Sequence, residues 1–248
     1  MFTRTLTIFL VGTLLLLPHK AATQNKTVYK STGNEATLTG FVTIKGQSVE
    51  PRRIDMTADP VCMEGNYEGY TEYVVRNGDK LANVLVYFKS GEALRLLSFE
   101  APTTPAVLRR RNCRFSPRVI GVRVNQELNI ENNDATYHNT HPTPKINPEF
   151  NRSQPPYTPP MVTKFEVPEV AIPFKCNQHP WEKAYVAVFD HPFFATSDAF
   201  GRYEIKGIPP GKYQIVAWHE TLGEQEMEIT LVPGEVRSVD FLFAGNAK

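Results

Sequence analysis

Hydrophobic and polar residues alternate with a period of two along most of the chain, a pattern typical of strands with one buried face. These short segments recur every ~8–12 residues with turn residues such as Pro233-Gly234 between them, as in a sandwich or barrel. The sequence therefore predicts an all-β fold, with helix only in short pieces near residues 91–98. The predicted strands are Thr37–Ile44, Leu81–Phe88, Val119–Val124, Glu127–Glu131, Tyr185–Phe189, Gly201–Ile205, Tyr213–Trp218, Glu226–Leu231 and Ser238–Phe243.

The segment from Pro142 to Pro160 is rich in proline, which lacks a backbone donor and restricts the backbone angle φ. We therefore predict a polyproline-like loop there rather than a strand. Both a long surface connection and a lid beside a site are compatible with this composition.

The charges of the chain are nearly balanced. There are 27 Lys and Arg residues and 26 Asp and Glu residues, so the formal net charge is +1. Nucleic-acid binders usually carry a basic excess, so we expect no nucleic-acid partner. The longest basic run, Arg109-Arg110-Arg111, lies in a strand-like segment, and we interpret it as a solvated edge. A length of 248 residues allows one large or two small domains.

The N-terminus has the features of a secretory signal peptide. Arg4 precedes an apolar run from Leu6 to Leu17, and small residues follow it. This run is shorter than the ~20 residues that span a bilayer, although an uncleaved anchor stays an alternative. We therefore predict a signal peptide at residues 1–22 and a secreted or periplasmic mature protein without an integral membrane span.

Two segments carry candidate metal ligands, one around His138 and one containing Cys176-Asn-Gln-His179. A thiolate and an imidazole on one tight loop, with a second imidazole from a neighbouring strand end, form a His₂Cys set. Proteins use this trigonal arrangement to bind copper for electron transfer. The alternative is a core thiol with two unrelated histidines. His141, His191 and His219 are expected to be structural or solvent-facing.

The same residues resemble the cupredoxin family. The pattern His138-Asn139-x-His141 upstream, and Cys176-x-x-His179 followed by Pro and an aromatic residue downstream, is similar to cupredoxins with the loop spacing of amicyanin. The similarity covers about residues 105–192. It implies a Greek-key β-barrel that binds one type-1-like copper ion through His138, Cys176 and His179. It also implies that the Asn139 amide ties the two ligand loops together.

One position departs from the cupredoxin pattern. Loops of this spacing usually place an axial Met three residues after the second His, and Glu182 stands there instead. Met161 and Met227 lie in other segments. Glu182 can bind copper through its carboxylate, point outward and leave a three-coordinate site, or mark a site that no longer binds copper.

The three cysteines leave an odd thiol in an exported protein. With Cys176 assigned to a metal ion, Cys62 and Cys113 become an even pair. We therefore predict a disulfide between them, which would attach the loop before Cys62 to the opening cupredoxin strand, from Cys113 through Val122.

The flanking segments resemble a second family. Gly40-Phe-Val-Thr-Ile44, and the stretch from Ser197 through Pro209-Pro-Gly-Lys-Tyr213, are similar to the carboxypeptidase-regulatory-like, transthyretin-like β-sandwich. This predicts a discontinuous domain of residues 30–95 with 193–248, into which the cupredoxin-like domain 105–192 is inserted. Related sandwiches sometimes bind carbohydrate, and only Tyr67, Tyr70 and Tyr73 are candidates for a sugar platform.

The whole chain resembles bacterial proteins described as plastocyanin-like or methylamine-utilisation-type. The resemblance implies an exported copper protein that exchanges single electrons with a transient protein partner through the His179 edge, near Pro180 and Trp181. The alternatives are a copper carrier or sensor without electron transfer, and a metal-free β-sandwich that binds carbohydrate or protein. An enzyme is the class with the least support, because the sequence shows no nucleophile–base pair or phosphate loop, and the one alternative of this kind is small-molecule chemistry at an open or carboxylate-bound copper.

Overall fold

The computed structural model describes residues 26–46, 50–64, 66 and 69–245. The predicted signal peptide, residues 1–22, lies outside the described residues, as does Tyr67. Strands dominate the described part of the chain and its two helices are short, so the predicted all-β class is confirmed. No helix of the described residues has the length and apolar character needed to cross a bilayer.

The helices are α1 (Pro60–Glu64) and α2 (Glu92–Leu96). The strands, in chain order, are β1 (Thr27–Val28), β2 (Ala36–Gly46), β3 (Arg76–Asn77), β4 (Lys80–Leu81), β5 (Leu85–Gly91), β6 (Leu97–Ser98), β7 (Ala106–Arg110), β8 (Phe115–Ser116), β9 (Val119–Arg123), β10 (Leu128–Asn132), β11 (His138–Pro142), β12 (Arg152–Gln154), β13 (Met161–Thr163), β14 (Glu169–Lys175), β15 (Lys183–Phe189), β16 (Phe194–Thr196), β17 (Arg202–Ile208), β18 (Gly211–His219), β19 (Gly223–Leu231), β20 (Val236–Ser238) and β21 (Phe241–Gly245).

The strands between residues 106 and 189 form two facing sheets. One has the order β13-β10-β7-β8 and the other the order β12-β11-β14-β15-β9. Alternate residues of each strand point inward, as Leu128 and Ile130 do in β10. Between the sheets lies a closed apolar core of Leu108, Phe115, Val122, Leu128, Ile130, Phe165, Ile172, Phe174, Ala184, Val186 and Val188.

Strands from both sides of this region build two further sheets. One has the order β16-β5-β18-β19, and the other the order β17-β2-β4-β3 with β20 and β21 also paired to β2. Each sheet thus needs strands from before residue 92 and from after residue 193. The predicted discontinuous sandwich of residues 30–95 with 193–248, its transthyretin-like character and its boundaries stay a prediction.

The two parts of the chain pack closely against each other. Gly121 of β9 lies against the Phe194 ring, and a Cβ at Gly121 would come within 2.3 Å of that ring. Buried apolar residues continue the contact, and Arg118 forms an ion pair with Glu220. The orientation of the inserted sheets is therefore fixed by direct packing.

Several predicted elements differ from the structure. The predicted strand Leu81–Phe88 is two strands, β4 and β5, because Asn83 has a positive φ of 61° and breaks the pairing. Ser238–Phe243 is likewise split between β20 and β21. The proposed opening strand from Cys113 to Val122 is β8 and β9, which belong to different sheets. The predicted helix near residues 91–98 is α2.

The proline-rich segment was predicted to contain no strand, and this is wrong for Arg152–Gln154. These residues form β12 and pair with β11 at the edge of a sheet. Proline is absent from these three positions, so their backbone donors are available for pairing. The segment thus covers the strand that begins at His138.

Two histidines outside the inserted sheets are buried. His191 Nδ1 accepts from the backbone N–H of Phe193, and His219 Nδ1 accepts from the N–H groups of Thr221 and Leu222. Burial lowers the pKa of each to about 4, from an ordinary value of 6.5, and the nearby Arg118 guanidinium acts in the same direction on His219.

This burial predicts acid sensitivity. The unfolded chain takes up protons on these histidines below pH 6.5, and the folded chain does so only near pH 4, so stability falls as the pH drops through that window. We expect a loss of about 2 kcal/mol per histidine between pH 7 and pH 5. In His219→Asn, which keeps an acceptor at this position, the slope of unfolding free energy against pH in this window should decrease; an unchanged slope contradicts the prediction.

Candidate metal centre

The four sequence-predicted ligands meet at one end of the inserted sheets. His138 begins β11, and Cys176 follows β14 directly. His179 and Glu182 lie on the turn that leads into β15, where the Glu182 N–H donates to the His179 carbonyl. One ligand atom from each residue lies within 4.8 Å of the others, and all four residues are buried.

The distances place the donor atoms around a common point. Cys176 Sγ lies 3.9 Å from His138 Nδ1 and 3.7 Å from His179 Nδ1, and the two Nδ1 atoms are 3.0 Å apart. Glu182 Oε1 lies 2.8 Å from His138 Nδ1 and 3.0 Å from His179 Nδ1. The structure thus brings together a sulfur, two imidazole nitrogens and a carboxylate oxygen.

Glu182 points inward, which excludes the outward orientation considered from the sequence. Its Oε1 atom is buried and makes no hydrogen bond, and the polar atoms beside it are the two imidazole Nδ1 atoms. A buried oxygen without a donor is costly and calls for an explanation. A cation between the four donor atoms would satisfy it.

Arg110 supports the other oxygen of this carboxylate. Its Nε donates to Glu182 Oε2 at 3.0 Å, and its other nitrogens donate to the Gln154 and Thr140 side chains and to the Asn139 carbonyl. The guanidinium also lies 4.2 Å from the centre of the Phe115 ring. A fully buried ion pair with this many hydrogen bonds holds the carboxylate in one orientation.

This finding corrects the interpretation of Arg109-Arg110-Arg111 as a solvated edge. Arg109 and Arg111 are exposed, but Arg110 is fully buried. Alternation in β7 places Arg110 on the same face as Leu108, which points into the core. The run of three arginines suggested exposure and concealed the role of Arg110. Its position two residues after Leu108 on a strand could have indicated that its side chain points into the core.

A carboxylate lies against the outer nitrogen of each imidazole. Asp134 Oδ2 is 3.1 Å from His138 Nε2, and Asp59 Oδ2 is 3.1 Å from His179 Nε2. Asp134 belongs to the segment singled out in the sequence, without an assigned role. Asp59 was missed: it lies 120 residues before His179, and nothing in its local sequence indicates the contact.

Asn139 links the two ligand loops. Its Oδ1 accepts from the Asn177 N–H at 2.8 Å and lies 3.3 Å from Cys176 Sγ, and its Nδ2 donates to Asn151. One side chain therefore connects the strand of the first imidazole to the loop of the thiol.

The predicted disulfide is confirmed. Cys62 of α1 and Cys113 are joined, with their Cα atoms 5.4 Å apart, and both are fully buried beside Met56 and Trp181. The Cys113 N–H donates to Asp134 Oδ2, and its carbonyl accepts from Trp181 Nε1. The cross-link therefore lies directly beside the ligand loops, and Cys176 is the free thiol.

The charge states of the sulfur and carboxylate donors suit a cation. Burial acts to raise the pKa of Cys176, but contacts with His138 and His179 outweigh it and lower the pKa to about 6. Burial also acts to raise the pKa of Glu182, but the two imidazoles and Arg110 outweigh it and lower the pKa to about 2. Burial acts to lower the pKa of both histidines, but the anionic groups beside them outweigh it and raise the pKa to about 10 for His138 and about 9 for His179. A metal ion must therefore displace a proton from each imidazole when it binds. The thiolate and the carboxylate are the forms that bind metal ions.

Other candidate residues lie apart from this group. His141 contacts Glu149 and Asn177 at the surface of the site loops. Met161 lies in β13 and packs against the apolar core of the inserted sheets, and Met227 lies in β19 of a different sheet. Tyr70 is exposed and Tyr73 lies beneath the Lys183 ammonium group.

Some solved structures are similar to part of the chain. Amicyanin from Paracoccus versutus is 15% identical, with 42% of this chain and 97% of that chain covered and a TM-score of 0.31. The purple cupredoxin from Nitrosopumilus maritimus is 20% identical, with 34% and 99% covered and a TM-score of 0.29. A copper-containing nitrite reductase from Thermus scotoductus is 16% identical with a TM-score of 0.31; 36% of this chain and only 23% of the reductase are covered.

These scores and identities are low, so we draw no conclusion about ligand or function from them. No protein-family model matches the sequence, and no curated protein matches it. The chemical assignment therefore depends on the geometry of the centre alone.

The donor set fits copper. A thiolate and two imidazoles are the ligands of mononuclear electron-transfer copper sites, and for a given set of donors Cu²⁺ binds more tightly than Zn²⁺. The unpartnered Glu182 oxygen faces the same point as the other three donors. His138, Cys176, His179 and Glu182 are thus the residues that would hold the ion.

Proposed function

We propose that this protein binds one copper ion through His138, Cys176, His179 and Glu182 and transfers single electrons. The observation that carries the proposal is the convergence of three nitrogen and sulfur donors with a buried oxygen that lacks any hydrogen-bond donor. Copper in such a set supplies a one-electron redox couple, since thiolate suits Cu(I) and imidazole suits both oxidation states.

The surrounding residues keep the four donor side chains in fixed positions. Asn139 ties the two ligand loops, Arg110 fixes the Glu182 carboxylate, and Cys113 of the disulfide binds Asp134 beside His138. Rigid support of this kind limits movement of the ligands when the charge of the ion changes. As part of the proposal, the carboxylate stabilises the more highly charged ion and lowers the reduction potential.

The expected docking patch at Pro180 and Trp181 lies beside a buried His179 ring. The His179 edge is covered by Asp59, and only 5% of His179 is exposed. Trp181, which is partly exposed, lies with its ring centre 5.2 Å from that of His179. It lines a surface cavity of about 250 Å³ together with Pro180, Glu72 and Tyr73. We therefore propose that a protein redox partner docks transiently at Trp181, through a small interface.

Burial of the ligands favours electron transfer over the carrier or sensor alternative. None of the four is more than 5% exposed, so exchange of the ion requires the loops to open. A disulfide beside the site is also in keeping with an oxidising, extracytoplasmic compartment. A metal-free sandwich would leave the buried Glu182 Oε1 without a hydrogen bond, beside two imidazole nitrogens.

Copper reconstitution tests the proposal. With Cu(II) added to metal-free protein, we expect an intense thiolate-to-copper absorption band and a mononuclear EPR signal. Cys176→Ser should lose the band because the sulfur donor is gone, and His141→Ala should keep it. Absence of the band in the wild type, its survival in Cys176→Ser, or uptake of zinc alone when both metals are offered contradicts the proposal.

The same titration with Glu182→Met addresses the fourth ligand. Loss of the carboxylate should raise the reduction potential and shift the absorption towards that of blue sites. An unchanged spectrum and potential would remove Glu182 from the coordination shell while leaving the other three ligands in place.

A further inference from the structure

Both imidazoles of the centre contact an aspartate, and the two aspartates come from different parts of the chain. Asp134 precedes β11, close to His138, whereas Asp59 lies just before α1, outside the predicted 105–192 domain. The two contacts have the same geometry, with a carboxylate Oδ2 at 3.1 Å from the imidazole Nε2. Asp134 therefore comes from the same part of the chain as the inserted sheets, whereas Asp59 comes from outside it.

Each aspartate is itself held in place. Asp59 accepts from the Thr136 hydroxyl at 2.7 Å and from the Val61 N–H at 3.0 Å. Asp134 accepts from the Cys113 N–H at 2.9 Å. Neither carboxylate can turn away from its imidazole without breaking these bonds.

The Cys62–Cys113 disulfide connects the two supports. Cys62 lies three residues after Asp59, and the N–H of Cys113 binds Asp134. The cross-link thus joins the segment that carries Asp59 to the turn that orients Asp134. Both sulfurs are fully buried, so the connection is part of the packed structure behind the ligands.

The chemical effect of a carboxylate in this position is specific. It accepts the hydrogen on Nε2, which leaves the Nδ1 lone pair free and fixes the plane of the ring. In both rings Nδ1 is the atom that faces Cys176 and Glu182. The two Nδ1 atoms are 3.0 Å apart, and hydrogens on both would collide.

We propose that Asp59 and Asp134 are positioning residues that aim the two imidazoles at the metal, and that the disulfide-linked segment of Asp59 completes a centre shared between two parts of the chain. This rests on the proposed metal centre. It also explains why the His179 edge is closed to solvent. The segment before Cys62 is then a component of the site rather than a surface loop.

The direct test uses NMR of the imidazole nitrogens in the metal-free full-length protein. We expect slowly exchanging Nε2–H signals from both His138 and His179. Asp59→Ala should lose the His179 signal and keep that of His138, and Asp134→Ala should do the reverse. If both signals survive in Asp59→Ala, or if neither exists in the wild type, the proposal is wrong.

The second arm measures copper affinity by competition with a chelator. Loss of such outer partners typically costs 10–100-fold, so Asp59→Ala and Asp134→Ala should each bind copper about 10–100-fold more weakly. Asp59→Asn, which keeps an oxygen acceptor, should recover most of this loss. Asp55→Ala is the matched control, because Asp55 is exposed in the same segment and accepts hydrogen bonds from Thr57 rather than from an imidazole of the centre.

The two arms separate this inference from the proposed function. If the wild type takes up no copper, the proposed function fails, whereas the NMR arm still decides the roles of Asp59 and Asp134. If copper binds and the Asp59→Ala affinity equals that of the Asp55→Ala control, the positioning role is refuted and the copper site stands.

Discussion

The Arg110→Met variant should lose about 3–5 kcal/mol of unfolding free energy in the metal-free protein, since removing one partner of a buried ion pair leaves the other charge unpaired. Arg110 and Glu182 are both fully buried at the side-chain level. Glu182 Oε2 would lose its donor while Oε1 already has none. Denaturant titration in the presence of a chelator measures the effect.

Two variants make this experiment specific. Arg109→Met removes the neighbouring, exposed arginine, whose ion pair with Glu131 should contribute no more than about 1 kcal/mol. The double variant Arg110→Met/Glu182→Met should be more stable than Arg110→Met alone, because no lone carboxylate stays buried. Purely additive losses in the double variant would mean that the two side chains do not depend on each other.

Replacing both bridged cysteines, in Cys62→Ala/Cys113→Ala, should lower the unfolding free energy by about 4 kcal/mol, because the unfolded chain gains the freedom of a loop of about 50 residues. The cross-link joins residues 51 apart in sequence. Metal-free wild type and variant are compared in denaturant, with the slope of the transition as a check on two-state behaviour.

Cys176→Ala is the matched control for the disulfide, since it removes a buried sulfur without removing a cross-link. The unfolding free energy lost in Cys176→Ala should be clearly smaller than that lost in the disulfide variant. The disulfide variant should also bind copper more weakly than the wild type, because Asp59 is held beside His179 partly by this link. A disulfide variant as stable as Cys176→Ala would contradict the structural role assigned to the bridge.

Local patterns account for what could be predicted from the sequence. Period-two alternation indicates the all-β class, and Cys176 with His179 and Glu182 at three-residue spacing lies on one turn whatever the rest of the fold does. The first imidazole, His138, could be added because a strand end next to that turn is a topological expectation of the resemblance.

The features that could not be predicted from the sequence depend on contacts between distant segments. Asp59 reaches His179 across 120 residues, and its role depends on how the segment before α1 packs on the inserted sheets. Arg110 was misassigned because a run of three arginines suggests solvent, while its burial depends on the charge of Glu182, which lies 72 residues later in the chain.

A crystal structure of the copper-loaded protein, with anomalous diffraction recorded on both sides of the copper absorption edge, is the most direct measurement. We predict a single anomalous peak within bonding distance of Cys176 Sγ and of the Nδ1 atoms of His138 and His179, on the side that Glu182 Oε1 faces. A peak at any other place, or a Cys176 sulfur without a metal bond in fully loaded crystals, would contradict the account.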